Sequence, residues 1–400
     1  MLFTLEALRA EAGDCLLLHY GDPDEPRLIV IDGGPTTAVY ERLRDRLDAL
    51  RVDGGFTGAG EALPIELLMV SHIDDDHIDG IIQLTEQLLG EQGGRSYEIA
   101  SMWHNSFDDL IGNGAEEFKT VNRDGAQAAS VGGTTIDEDL VRRDVIRRDT
   151  FLVLASVNQG RTLRSNAERL GLRPPLLVAD PGEAPKNFGH GLTLRIVGPL
   201  RAQLDKLHAE WEKQLKKLRK EGKLPQAEAA SFSDSSAANL ASLVVLAEAE
   251  DGKTMLLTGD ARGDFLRESL VEQGLLGAGG SLHVDLFKLP HHGSDRNVER
   301  STFAEITADH YVISGDGGHG NPEVDTFRML FDGREDAGVK GKRFTLHLTY
   351  DPARFRRHKG HDYPLAKLRQ VLDEARQAGH DFDVVHPADD EESISVALGD

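Results

Sequence analysis

Between residues 71 and 80 the chain reads SHIDDDHIDG, directly after the apolar run IELLMV. Asp74, Asp75 and Asp76 stand side by side between His72 and His77. Carboxylates packed this closely repel one another at neutral pH unless protons or a cation intervene, and a pair of divalent ions removes that repulsion. In an extended segment alternate residues point to one side, so His72, Asp74 and Asp76 can converge while Asp75 points elsewhere. His77 is then read as opening a helix, HIDGIIQLTEQLL, whose positive N-terminal end tolerates the acidic cluster. Three further fragments each place a ligand-type side chain just after a strand-like run. They are LLTGDA with Asp260, FKLPHHGS with His291 and His292, and VISGDGGHGNP with Asp316, His319 and Asn321. Strand ends meeting on one rim are where sheet folds build sites.

Several polar residues also carry a plainer reading. Acidic loops are commonly solvated turns, and Asp14 in AGDC reads as a turn residue. His104 in SMWHNSF follows a strand-like run and is either a structural histidine or a substrate or outer metal contact. Ser294 in HHGS reads as a cap of the chain after its loop. Cys15, the one cysteine, sits in CLLLHY as a small buried hydrophobe, which excludes a disulfide framework or a cysteine-rich zinc finger. His190, His208 and His380 lie in no motif and default to surface or core roles.

The elements that must position these residues are legible as periodic runs. LFTLEAL, CLLLHY, RLIVIDGG and IELLMVSH read as strands, with a helical pattern at about 37–50 before the last. A second series follows with LTLRIVG, SLVVLAEAEDGKTMLLTGD, VDLFKLPHHGS and HYVISGDGG, and with helical patterns at about 262–273 and 322–331. EDGK at 250–253 joins two apolar runs as a tight hairpin would. The tail adds RFTLHLTY, a helix at about 363–378 and a last strand, SISVAL. Two strand-rich halves with interleaved helices imply two packed sheets with helices outside, a four-layer α/β arrangement. Residues 113–150 and about 201–235 read as insertions, the second with an amphipathic, strongly basic helical pattern over 201–223. That pattern is either a solvated face or a lid or phosphate-attracting patch.

Length and composition bound the rest. The chain has 400 residues, 39% of them hydrophobic, enough for a large core without covalent staples. A formal charge of −23 means that the average surface repels polyanions, so nucleic acid is not a favoured partner and any phosphate must be held by metal or a local basic patch. The N-terminus carries charges where a signal peptide would be apolar, and no eighteen apolar residues run together. A soluble cytoplasmic protein without a membrane partner is expected.

Taken in order, AGDCLLL, LIVIDGG, SHIDDDHIDG, SSAANLASLVVL, LLTGD, LPHHGS and GHGNP resemble the metallo-β-lactamase fold superfamily. Within it they look like the branch typified by the C-terminal domain of the ComEC competence protein and by choline-binding phosphodiesterases. The resemblance runs from about residue 3 to 332, leaves both insertions unmatched, and implies one αββα sandwich domain over 1–400 with a dinuclear metal site on the rim between the sheets. It implies that Asp76, His77 and His292 bind one ion, that His72 and Asp74 bind the other, and that Asp260 bridges them. Asp32 in VIDGG resembles an aspartate that supports the rim by hydrogen bonding. His319 resembles a rim histidine usually found before proline, but the corresponding position here is Asn321, so it is read as either a substrate contact or loop structure. Two departures stand out: Asp74 replaces the superfamily's more usual histidine, and Asn239, 21 positions before Asp260, stands where a further histidine would lie. Oxygen ligands shift preference away from zinc and toward hard ions, manganese or magnesium, with zinc kept as an alternative, so two divalent ions, zinc or manganese, are the expected cofactors.

The implied activity is hydrolysis by a metal-activated water, with Asp76 orienting the nucleophile and His291 contacting the oxyanion or protonating the leaving group. Phosphodiesters, as in a nuclease or nucleotide phosphodiesterase, are the first expected substrates, and another ester or a lactone the alternative. A rival from a different class is a non-catalytic scaffold or sensor with a degraded metal site, to which the departures at Asp74, Asn239 and Asn321 would point.

Overall fold

In this computed structural model the described residues are 1–58, 60–105, 148–206, 241–276, 280–358 and 360–399, with the backbone alone for 148–158. The first half supplies strands β1 (Leu2–Leu8), β2 (Leu16–Asp22), β3 (Glu25–Ile31), β4 (Leu63–Ile65), β5 (Leu67–Val70), β6 (Tyr97–Ile99) and β7 (Met102–His104). The second supplies β8 (Lys186–Gly189), β9 (Leu192–Gly198), β10 (Val244–Ala249), β11 (Thr254–Leu257), β12 (Leu282–Lys288), β13 (Ile306–Ile313), β14 (Phe344–Leu348), β15 (Phe382–Val385) and β16 (Ser393–Ala397). One sheet has the order β16-β1-β2-β3-β5-β7, and the other runs β15-β14-β13-β12-β11-β10-β9-β8. The last strand thus returns to pair with the first.

Side-chain alternation makes the layers. Phe3 and Leu5 of β1, Leu18 and Tyr20 of β2 and Ile29 of β3 point inward and meet Leu194, Val245, Ala247, Met255 and Leu257 of the other sheet. The opposite parity, Leu17, Leu28, Val30, Leu68 and Val70, faces helices α1 (Thr37–Asp53), α2 (Asp75–Gly90) and α3 (Arg148–Leu170). On the far side Phe287, Tyr311, Phe344 and Leu346 bury against α4 (Gly263–Glu272), α5 (Arg300–Glu305), α6 (Val324–Asp336) and α7 (Leu365–Gln377). The result is a four-layer αββα sandwich. Each fully buried Leu or Phe contributes about 1.5–3 kcal/mol relative to exposure, so three such interfaces hold the layers without a disulfide.

The hairpin expected at 250–253 is present: Glu248 pairs with Thr254, and the Ala249 amide donates to the Lys253 carbonyl at 2.9 Å. Three readings need correction. IELLMV is not one strand, because the chain breaks at Glu66, whose carboxylate turns out to meet Arg27 at 3.1 Å. β4 then pairs with β6 in a separate ladder, while β5 joins the first sheet beside β3. α2 begins at Asp75 rather than His77, so strand alternation does not run through Asp76. No helix was expected over 148–170, yet α3 forms, and Leu163, Ala167 and Leu170 at helical spacing bury in the core shared with α2. Most of both suggested insertions, and Asn239, lie outside the described residues. Among the described residues no helix is long and apolar enough to cross a membrane.

Topology brings the chemistry together. β3 and β5 are parallel neighbours in one sheet, and β11, β12 and β13 are parallel neighbours in the other. The residues just past their C-terminal ends are Asp32, Ser71–His72, Asp260, His291–His292 and Ser314. The Leu243 amide donates to the Ser71 carbonyl at 2.8 Å and ties the two sheets at this edge.

Candidate metal centre

Three chain segments, far apart in sequence, meet at the rim. His77 Nε2 lies 3.3 Å from His292 Nε2 and 3.3 Å from Asp260 Oδ1. Asp76 Oδ2 is 3.4 Å from His292 Nε2, and Asp260 Oδ1 is 3.6 Å from it. On the other flank His72 Nε2 is 3.7 Å from Asp260 Oδ2 and 3.8 Å from Asp74 Oδ2. His291 Nε2 approaches Asp260 Oδ2 at 3.7 Å from a partly exposed position. Asp260 therefore presents one oxygen to each flank.

Local backbone explains why these side chains face inward. Asp74 occupies the N-cap of α2 but makes no capping hydrogen bond, so its carboxylate is turned to the cluster instead. Asp76 and His77 sit in the helix's first turn, where the N-terminal partial charge favours carboxylates. Asp32, His291 and His292 have φ of 59°, 48° and 53°, a left-handed conformation costly for residues other than glycine and concentrated at functional sites. The His291 amide donates to the Gly259 carbonyl at 3.1 Å, and Asn321 Nδ2 donates to the His291 carbonyl at 3.2 Å, which pins this strained turn. A Cβ on Gly13 would fall 2.0 Å from the Asp76 carbonyl oxygen, so only glycine lets the β1–β2 turn dock beneath the cluster.

The orientation of two imidazoles is set from behind. His77 Nδ1 donates to Asp32 Oδ2 at 2.8 Å, and Asp32 also accepts from the Ser71 amide at 2.7 Å and the Ser71 hydroxyl at 2.6 Å. His292 Nδ1 faces Ser314 Oγ at 3.1 Å and Asp14 Oδ1 at 3.4 Å. With both Nδ1 atoms engaged, the two Nε2 atoms are left facing each other across the cluster, where a cation that displaces their protons is held between ligands. His72 Nε2 and Asp260 Oδ1 are buried and make no hydrogen bond. Ligand-type atoms of Asp14, His77, Asp260 and His292 lie within 4.8 Å of one another, as do those of His72, Asp76 and His77. An imidazole and carboxylate donor set of this kind suits a divalent cation, so the residues fit a metal centre.

Electrostatics point the same way. Burial opposes charge on His77, but Asp260, Asp32 and Asp76 outweigh it and hold that imidazole well above its usual pKa. Burial likewise opposes charge on His292, yet Asp260 and Asp14 raise it to about 9. Asp260 resists its own burial and is held well below the carboxylate range by His291, His292, His77 and His72. Asp74 moves the opposite way, pushed well above by burial and by Asp76 and Asp260. Burial and the neighbouring His77 hold His72 down at about 3, which keeps its ring a neutral lone-pair donor. The cluster as a whole calls for added positive charge.

His72, Asp74, Asp76, His77, Asp260 and His292 are thus brought together, with Asp32 behind His77 and His291 at the margin. Asp14, read from sequence as a turn residue, is instead buried against Lys288 and His292, because the turn folds under the rim. The local signal for this is Gly13, whose lack of a side chain permits close backbone approach. His104 is buried at the end of β7. His319 is exposed, with its ring stacked 6.4 Å from that of His358. Ser294 takes a local role, its hydroxyl accepting from the Arg296 amide at 3.4 Å. His380 packs against Phe331 in the core, and Cys15 is buried, which raises its thiol pKa.

Among solved structures the chain is similar to the metallo-beta-lactamase fold protein YhfI from Bacillus subtilis, at 10% identity and a TM-score of 0.37 over 99% of both chains. It is also similar to a metallo-beta-lactamase from Cronobacter sakazakii, a HARLDQ motif mutant, at 14% identity and a TM-score of 0.29 over 94% of this chain and 91% of that one. These superpositions are loose, and the architecture stands on strand order and layer packing. No protein-family model and no curated protein matches the sequence.

Proposed function

We propose that the chain is a metal-dependent hydrolase of phosphodiesters, of the ComEC-like branch that its motifs resemble. His72 and Asp74 would hold one divalent ion, Asp76, His77 and His292 a second, with Asp260 shared, and zinc or manganese as the metal. The observation that supports this most directly is the pair of Nε2 atoms, on His77 and His292, facing each other at 3.3 Å while their Nδ1 atoms are engaged behind them. Bound ions of this kind supply an acidified water and a Lewis-acid contact to the substrate oxygen. The chain's own residues do the rest. Asp76, part-exposed beside His292, orients the attacking water through its carboxylate. His291, part-exposed beside Asp260, would contact the oxyanion or give a proton from its ring to the leaving oxygen. The net charge of −23 favours small phosphodiesters over polymeric nucleic acid.

The test is hydrolysis of bis-p-nitrophenyl phosphate, p-nitrophenyl acetate and a simple lactone by chelator-treated protein, with zinc or manganese restored, for wild type and His77→Ala. Metal-dependent phosphodiester turnover that disappears in His77→Ala is expected. Turnover of only the ester or lactone would overturn the substrate class. Failure of the wild type to retain either metal on dialysis would favour the scaffold reading.

A further inference from the structure

Lys288 is the last residue of β12 and one of the most deeply buried side chains of the protein, at 1% exposure. Its Nζ lies 2.9 Å from Asp14 Oδ2, and Asp14 is equally buried. The two residues come from opposite sheets, from the β1–β2 turn and the end of β12. An ion pair so far from water seldom repays its desolvation, so its position calls for another reason. Asp14 Oδ1, its other oxygen, accepts from the Ser314 hydroxyl and faces His292 Nδ1 at 3.4 Å. Ser314 Oγ is itself 3.1 Å from that ring nitrogen. Lys288 Nζ also donates to the Leu289 carbonyl at 3.0 Å, which fixes the ammonium next to the turn carrying His292.

The arrangement repeats, with one difference, what stands behind His77. There Asp32 and Ser71 together contact Nδ1 of the ring. Asp32 is anchored by the Ser71 backbone amide within its own sheet. Asp14 has instead the ammonium of Lys288 from the other sheet. Placing His292 against His77 requires the two sheets to stay in register at the rim to within a fraction of an ångström. A charge pair spanning them next to the ring is a device that does this.

We propose that Lys288 and Asp14 act as a positioning pair, in which the buried ammonium pins the Asp14 carboxylate against Nδ1 of His292 so that the ring presents Nε2 to the metal-binding cluster. This rests on the reading of that cluster as a metal site. Asp14 therefore stands behind a ligand and is not one itself, although it lies within reach of the cluster.

The test compares Lys288→Met, and the apolar pair Asp14→Leu with Lys288→Met, against wild type. Manganese and zinc dissociation constants are read by equilibrium dialysis, and thermal unfolding is followed on metal-free protein. Lys288→Met is expected to weaken metal binding about 10–100-fold and to lower the melting temperature, because it strands a buried carboxylate. The double variant is expected to recover thermal stability but not affinity, since only the Ser314 hydroxyl, no longer held by a carboxylate, remains behind His292. A purely structural pair would move the melting temperature alone. Dissociation constants within about twofold of wild type in the double variant would therefore overturn the proposal, even if Lys288→Met does not fold. Wild-type protein that binds neither ion would overturn the metal reading together with this one, whereas tight wild-type binding with unaltered variants removes the positioning pair alone.

Discussion

Asp32→Asn isolates the chemistry behind His77 better than any other single change. Asp32 sits at φ 59°, a conformation that asparagine tolerates about as well as aspartate, so backbone strain does not confound the result. The buried carboxylate accepts three hydrogen bonds, from the Ser71 amide, the Ser71 hydroxyl and His77 Nδ1. An amide has one acceptor oxygen to meet them. If the oxygen stays on the Ser71 amide, the new NH2 group faces the ring, and His77 must carry its proton on Nε2, inside the cluster. If the amide turns over, the Ser71 N–H faces a donor and is orphaned. Losing a charged hydrogen bond costs about 1.5–3 kcal/mol, and an orphaned donor about 1–3 kcal/mol. The expected result is metal affinity lower by about 10–100-fold, equivalent to about 1.4–2.7 kcal/mol. Stability of the metal-free protein should fall by a similar amount. Equilibrium dialysis with elemental analysis gives the first quantity and urea unfolding the second. Unchanged affinity in a destabilised protein would refute the claim that Asp32 sets which nitrogen of His77 faces the metal.

Two further outcomes follow from the scaffold. Gly80→Ala places the better helix former in α2, but its Cβ would fall 2.0 Å from the Gly33 carbonyl oxygen, so stability should drop by about 2 kcal/mol or more, and a raised melting temperature would contradict it. Glu6 is buried, yet His19, Arg46 and Ser393 overcome that burial and hold its carboxyl at about 2 in the folded state, against 4.5 unperturbed. A depressed carboxyl lends stability that is present above its unfolded pKa and lost as pH falls through the folded one. Wild type should therefore lose about 3 kcal/mol between pH 4.5 and 2 that Glu6→Gln lacks throughout, read from urea unfolding at a series of pH values. Parallel pH curves for the two proteins would refute it.

The candidate ligands were legible in the sequence because each is local to a motif. His72, Asp74, Asp76 and His77 share one decapeptide, while Asp260 and His292 directly follow apolar runs whose period marks them as strands. The interleaving of strand-like and helical runs in two halves also implied two sheets with helices outside. It did not locate the start of α2. Three aspartates in a row carry no apolar period, and the helix N-terminus is decided by the dipole and by the docking of Gly13 beneath Asp76. Helix α3 escaped notice because its buried face is defined by a partner helix rather than by its own composition.

What the sequence determined by itself was which residues could bind a cation and which strand ends would deliver them, because those depend on side-chain chemistry and spacing within short segments. Only the tertiary structure decided what stands behind His292. Asp14 and Lys288 are separated by most of the chain and belong to different sheets, and nothing in either neighbourhood encodes their contact. A buried ion pair is a property of the space between layers, where the low dielectric makes each charge intolerable without the other, and that space exists only once the sheets have packed.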